Sequence, residues 1–235
     1  MALPKIDKPI YTMIAPSDGR EMKYRPYTVK EEKILLTAQQ SKSPKQSFIA
    51  TKQVLTNCII DEDIDTMPMI DVEFALISIR SKSVGNIIEF SIKGDETNER
   101  IKAEIDLNLT TIVKNPDHNK HIKLNDEFTL IMKYPTINEA ILVLETETIE
   151  ERTAMNYIIM RRCLDKLVTE DSVSSFANET DEDIDSWLDD LDSKVREKMQ
   201  QFFDTAPVVK YEFPYVTKSG EKKTLVIQGL ESFFT

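Results

Sequence analysis

The apolar positions along the chain switch repeatedly between a period near two and a period near three and a half, and each switch marks an element. Alternation over residues 10–15 and 21–27, on either side of Ser17-Asp-Gly-Arg20, predicts a β-hairpin, because Asp-Gly supplies the backbone angles of a tight turn. Thr28-Val-Lys-Glu31 then reads as a capping box opening a helix through Ile34, Leu35, Leu36 and Ala38. Residues 41–43 break it, and Pro44 suits the first turn of a second helix with Phe48, Thr51, Leu55, Cys58 and Ile59 on one stripe. After an acidic link, Pro68 opens a third helix, with Ile70, Phe74 and Ile77 at helical spacing. Gly85 marks a return to strands at 86–93 and 100–107, the second hairpin. Residues 110–120 read as loop, followed by strands at 121–124 and 128–134.

Two further capping boxes, Thr136 with Glu139 and Thr148 with Glu151, predict two separate helices. The second carries Met155, Tyr157, Ile158, Ile159, Cys163 and Leu167 over a wide arc, which predicts burial between layers. Residues 169–178 are polar and fit a linker or a short edge segment. Thr180 and Asp183 cap an acidic helix whose stripe runs Ile184, Trp187, Leu188, Leu191, Val195, Met199 and Phe202. Acids crowd its first half and Lys194, Arg196 and Lys198 its second, the order that the helix dipole favours. Pro207 ends it, and runs at 208–213 and 224–228 form the third hairpin, turning near Ser219-Gly220. The pattern as a whole predicts an α+β fold of helices with three β-hairpins in two closely packed lobes, residues 1–135 and 136–235.

Composition narrows the function. At 235 residues, 40% hydrophobic and 30% charged, the chain can build a real core. The net charge of −11 repels phosphate backbones, which argues against non-specific nucleic-acid binding and for solubility and basic partners. The absence of a long apolar run predicts no membrane span. The start Met1-Ala-Leu-Pro-Lys5 lacks the apolar core of a signal peptide, which predicts a protein kept in the cytoplasm unless it is exported within an assembly. Cys58 and Cys163 sit among apolar residues and read as buried thiols.

Catalytic signals are weak. Asp181, Asp183, Asp185, Asp189 and Asp192 fall at ligand positions of a calcium-loop template, and a metal-binding hydrolase using this cluster is one alternative reading. Against it, Ser186 stands where such a loop needs glycine, and the same residues make a well-capped amphipathic helix. A generic acidic cytoplasmic adaptor is another alternative. His118 and His121 lie in polar context and read as surface residues; no phosphate-binding glycine loop and no nucleophile elbow is present. No cofactor is implied. The stretch Lys23-Tyr-Arg-Pro-Tyr27 reads either as an edge strand leading into the first helix or as a docking ridge, since Arg and Tyr are residues that interfaces favour.

Three stretches together resemble a known family. They are Met1-Ala-Leu-Pro-Lys-Ile6 with Tyr24-Arg-Pro-Tyr-Thr-Val-Lys-Glu-Glu-Lys-Ile-Leu-Leu36; Asp63-Ile-Asp-Thr-Met-Pro-Met-Ile-Asp71 continuing through Leu76-Ile-Ser-Ile-Arg-Ser-Lys-Ser-Val-Gly85; and Phe202-Phe-Asp-Thr-Ala-Pro207 through the last hairpin to Gly229-Leu-Glu-Ser-Phe-Phe234. In this order they resemble the baseplate hub and hub-assembly proteins of T4-like contractile-tailed bacteriophages. The resemblance implies a non-enzymatic hub protein or hub-assembly chaperone whose partners are other phage baseplate hub proteins. It implies residence in the host cytoplasm during tail assembly, and in the virion if the subunit is permanent. It also implies hairpins shaped like small zinc ribbons, but Ile92-Lys-Gly-Asp-Glu96 and Pro214-Tyr-Val-Thr-Lys218 hold no cysteine, so no metal is expected there. The expected protein-contact residues are Tyr24, Arg25, Tyr27, Leu230, Phe233 and Phe234.

Overall fold

The computed structural model describes residues 6–93, 100–217 and 220–229, with side chains outside 90–103. In chain order the elements are β1 (Tyr11–Ile14), β2 (Glu21–Tyr24), α1 (Val29–Ser41), α2 (Pro44–Cys58), β3 (Ile59–Ile60), α3 (Met69–Val84), β4 (Ile87–Lys93), β5 (Arg100–Asp106), β6 (Thr111–Val113), β7 (His121–Lys123) and β8 (Thr129–Met132). There follow α4 (Ile137–Val143), α5 (Ile149–Arg162), β9 (Leu164–Val168), β10 (Val173–Ser175), α6 (Asp181–Asp189), α7 (Ser193–Asp204), β11 (Val208–Val216) and β12 (Lys222–Gln228). The fold is α+β: helices beside small antiparallel sheets. All three predicted hairpins form, as β1–β2, β4–β5 and β11–β12. The turn at 94–98 and Ser219 lie outside the described residues.

The chain divides into two compact units, Met1–Val113 with Val208–Thr235, and Lys114–Pro207. This division differs from the sequence-based one at 135/136. Residues 114–135, placed by their pattern with the first lobe, supply β7 and β8 to the second unit, and the last hairpin belongs to the first. The reason is pairing. Residues 110–120, expected as loop, contain β6, and β6 pairs with the start of β11 through Val208↔Val113, Val209↔Ile112 and Lys210↔Thr111. Thr111-Ile-Val113 is followed by the polar run 114–120 and reads with it as loop; its pairing with β11 defines it as a strand.

In the first unit α3 is buried on two opposite sides. Ile70 and Ile77 belong to a core cluster with Ile105, Leu107, Val209, Tyr211 and Ile227. At about 100° per residue, Val72, Leu76 and Ile79 point the other way, and all three are buried as well. Gly85 ends the helix at φ 107°, a conformation that side chains resist. The β1–β2 turn is fixed to α3 by Asp71, which is fully buried: its carboxylate accepts from the Ser17 N–H at 2.9 Å and the Ser17 hydroxyl at 2.6 Å. Burial pushes this carboxyl up; the Ser17 bonds and Arg20, 3.6 Å away, oppose that.

The second unit holds a sheet in the order β10-β9-β8-β7. Its core joins Leu130 and Met132 of β8 and Leu164 of β9 to Ile184 of α6 and to Val195, Met199 and Phe202 of α7. Both predicted capping boxes are present: the N–H of Thr136 donates to Glu139 at 2.8 Å, and that of Thr148 to Glu151 at 3.1 Å. Three expectations fail here. The apolar arc of α5 is not buried all round, since Met160 alone is fully buried within the helix and Tyr157 is 55% exposed. The helix stops at Arg162, because the chain turns at Cys163 into β9 and Leu164–Val168 pairs with β8. The acidic helix is also not one helix but two, since Asp192 leaves the helical conformation (φ −60°, ψ 142°) and caps α7 by accepting from the Lys194 N–H at 2.8 Å.

Phe202→Ala, which would empty the centre of the second unit's core, is expected to cost about 3–5 kcal/mol in denaturant unfolding. Asp192→Ala, which would strip the α7 cap, is expected to cost about 1 kcal/mol; an effect near zero would argue against a separate α7.

Candidate protein-contact site

The Tyr24–Tyr27 stretch is where β2 hands over to α1, and its polar groups are drawn inward. Tyr24 is 3% exposed, its ring tilted against Tyr11 with centroids 5.8 Å apart. The N–H of Arg25 donates to the Cys58 carbonyl at 2.9 Å. The Arg25 guanidinium donates to the Pro26 carbonyl at 2.9 Å and to Glu31 at 3.1 Å, and the N–H of Tyr27 donates to Ser83 Oγ at 2.9 Å. Arg25 and Tyr27 are half-buried. This short run therefore ties β2, α1 and α3 together, and Tyr24 serves the core. Burial raises the Tyr27 phenol; the Arg80 charge opposes this, and burial in turn lowers Arg80. Leu230, Phe233 and Phe234 lie outside the described residues.

Glu31 is the electrostatic centre of the stretch. Burial pushes its carboxyl up, but hydrogen bonds from the Thr28 hydroxyl (2.6 Å), the Thr28 N–H (2.8 Å) and Arg25 outweigh that and bring it down to about 2. The cysteines are the opposite case. Cys58 and Cys163 are fully buried free thiols, and burial raises them to about 11 and about 12, which removes them as nucleophiles.

His118 is not the surface residue that its polar neighbours suggest. Its ring is half-buried, with Nε2 2.7 Å from the Tyr134 hydroxyl and Nδ1 3.0 Å from Thr205 Oγ1, and it lies against Tyr134 and Phe202. Desolvation, reinforced by Lys120, lowers its pKa. His121 is exposed. Neither Tyr134 nor Thr205 is near His118 in sequence, so sequence spacing carries no sign of this cluster.

Of the aspartates of the calcium-loop pattern, four lie on α6 and Asp192 caps α7; Asp181, Asp183, Asp185 and Asp192 have structural duties. Arg161 of α5 pairs with Asp181 at 2.9 Å and Asp185 at 2.6 Å; Asp183 accepts from Thr180 Oγ1 at 2.7 Å; Asp192 caps α7. Ser186 is mid-helix, where the template calls for a turn. Among the described residues no group of three or more His, Cys, Asp or Glu side chains is placed to hold a metal ion.

A cleft of about 230 Å³ lies between the β9–β10 edge and α6, lined by Leu167, Ser174, Phe176 and Trp187, with Glu179 and Asp183 among its acidic residues. Phe176 and Trp187 meet with ring centroids 5.1 Å apart. Sequence reasoning read 169–178 only as polar. The signals that could have found the cleft were a lone phenylalanine in that run and the chain's single tryptophan on the following helix.

The described residues thus combine small antiparallel sheets, helices whose acids serve as caps and clasps, and two buried thiols. A family model describing T4 bacteriophage base plate proteins matches residues 8–235, and the chain belongs to that family. No curated protein and no solved structure matches it. Among the described residues no helix is long and apolar enough to cross a membrane.

Because Glu31 sits well below its ordinary 4.5 in the folded chain, its contribution is full above about 4.5 and is lost as pH falls towards about 2. Glu31→Gln is expected to lower stability at pH 7 by on the order of 2 kcal/mol. It should also flatten the loss of stability across that acid window in a urea-unfolding series against pH. An unchanged acid profile would remove Glu31 from this role.

Proposed function

We propose that this base plate protein works without catalysis, through protein–protein contacts, as a hub protein or a hub-assembly chaperone of the tail baseplate. The observation that carries the reading is the span of the family match, residues 8–235, which runs through both compact units. The chemistry of the chain supports it. The carboxylates with strongly perturbed surroundings, Asp71 and Glu31, are bound into turns and caps, and both thiols are buried. The net charge of −11 keeps the free chain soluble before assembly and favours partners with basic surfaces. The partners are other baseplate hub proteins, met in the host cytoplasm during tail assembly. Arg25, Tyr27, Leu230, Phe233 and Phe234 are the contact residues of this reading; Tyr24, expected among them, is 3% exposed and packs in the core instead.

Tagged protein expressed during infection is expected to co-purify with hub subunits or hub intermediates, and a chain that captures none of them from a lysate rich in intermediates would overturn the proposal. Mass spectrometry of purified virions separates its two forms: a permanent subunit is present in the baseplate, whereas a chaperone is absent from it while bound to intermediates.

A further inference from the structure

We propose that the cleft beside β10 takes an extended, basic segment of a partner polypeptide, which joins the sheet as a fifth strand. The proposal rests on the interaction role above and names one surface and one partner chemistry for it.

The backbone argument comes first. Among the described residues β10 is the terminal strand in the order β10-β9-β8-β7. The N–H of Thr169 donates to the Ser172 carbonyl at 2.9 Å and closes the β9–β10 hairpin. In an antiparallel ladder hydrogen-bonded and non-hydrogen-bonded pairs alternate, so Ser174↔Leu167 is the next bonded pair. The N–H and C=O groups of Val173 and Ser175 then face away from β9, where an added strand can pair with them. Val173 is 64% exposed.

The side-chain argument picks the occupant. Ser174 and Leu167 are cross-strand partners, so their side chains share a sheet face, and both line the cleft. A residue of an added strand lying opposite Ser174 projects onto that same face, towards Phe176 and Trp187, which accept an aliphatic side chain. The flanking charge is negative. Arg161 pairs with both Asp181 and Asp185 and offsets one of their two charges, while Glu179 and Asp183 line the cleft, and the hydroxyl that Asp183 binds carries no charge to offset it. A lysine or arginine on the added segment complements these two acids, whereas an acidic segment or a nucleic-acid backbone is repelled. The edge, the apolar floor and the acidic lining thus converge on one ligand: an extended peptide with an aliphatic residue and a basic residue near it.

The test uses the full chain and a synthetic peptide alternating Val and Lys around a central Leu, with a second peptide carrying Glu in place of Lys. Binding is followed by Trp187 fluorescence and by amide exchange at Val173 and Ser175. The Lys peptide is expected to shift the emission and slow exchange at both amides at up to about 1 mM, the weak end of peptide affinity, while the Glu peptide does neither. Glu179→Lys, at an exposed position, is expected to weaken binding about tenfold. Val173→Pro removes one outward N–H at the first residue of an edge strand, where proline is tolerated, and is expected to abolish the protection at Ser175. Unchanged exchange at Val173 and Ser175, equal binding of the Glu peptide, or indifference to both variants would overturn the proposal.

Co-purification from infected cells separates this failure from that of the parent reading. If wild type and both variants capture hub subunits equally, the cleft is not the docking site and the assembly role stands. If the Lys peptide binds as described but wild type captures no hub subunit, the cleft stands and the assembly role falls.

Discussion

The ladder between β6 and the start of β11 is the constraint on which the organisation of the chain depends. Val113 and Val208 are paired, so the chain between them must leave and return at one place. That requirement turns residues 114–207 into an insertion with its own sheet and its own core. Closing so long a loop costs little more than closing a shorter one, because the entropy grows only with the logarithm of length. What the short ladder does demand is that β11 be held firmly. Val209 and Tyr211 secure it through the cluster built around Ile70 and Ile77 of α3. The central helix of the first unit therefore also fixes where the second unit begins and ends.

Charge has two roles in this chain. Where carboxylates enter the interior they meet donors already in place: Ser17 for Asp71, Thr28 and Arg25 for Glu31, Thr136 for Glu139. A buried carboxylate without such donors would cost several kcal/mol, so these sites organise turns and helix starts and are poorly suited to open a reaction. Other described acids, such as Glu179, Glu182 and Asp190, are exposed. The same economy explains why the calcium-like spacing holds no loop. On α6 Asp181 and Asp185, four residues apart, share one face, where Arg161 takes both to join α5 to α6, while Asp183 binds its cap residue Thr180 and Asp192 caps α7.

The hairpins and capping boxes were legible because their signals are local. Asp18-Gly19 forms its turn with Gly19 at φ 81°, and Thr28 with Glu31 closes its box within one helical turn. The break between α6 and α7 was not, because the apolar stripe from Ile184 to Phe202 keeps helical spacing straight across it; only Asp192, a cap residue ahead of Ser193, hinted at a new start. The site divides in the same way. Arg25 and Tyr27 stood out by residue type, but burial of Tyr24 and the bonds of Arg25 to Glu31 and Pro26 depend on packing that composition does not describe.

By itself the sequence determined the three hairpins, the capping boxes at Thr28, Thr136 and Thr148, the burial of both cysteines and, through three ordered stretches, the baseplate family, because each rests on neighbours a few residues apart or on the identity of whole motifs. Tertiary structure alone decided which hairpin belongs to which unit, that three residues at 111–113 form a strand, that His118 leaves the surface for Tyr134 and Thr205, and that Phe176 and Trp187 meet beside the open edge of β10. Those contacts join residues too far apart along the chain for any local pattern to register them, and they exist only once the cores have closed.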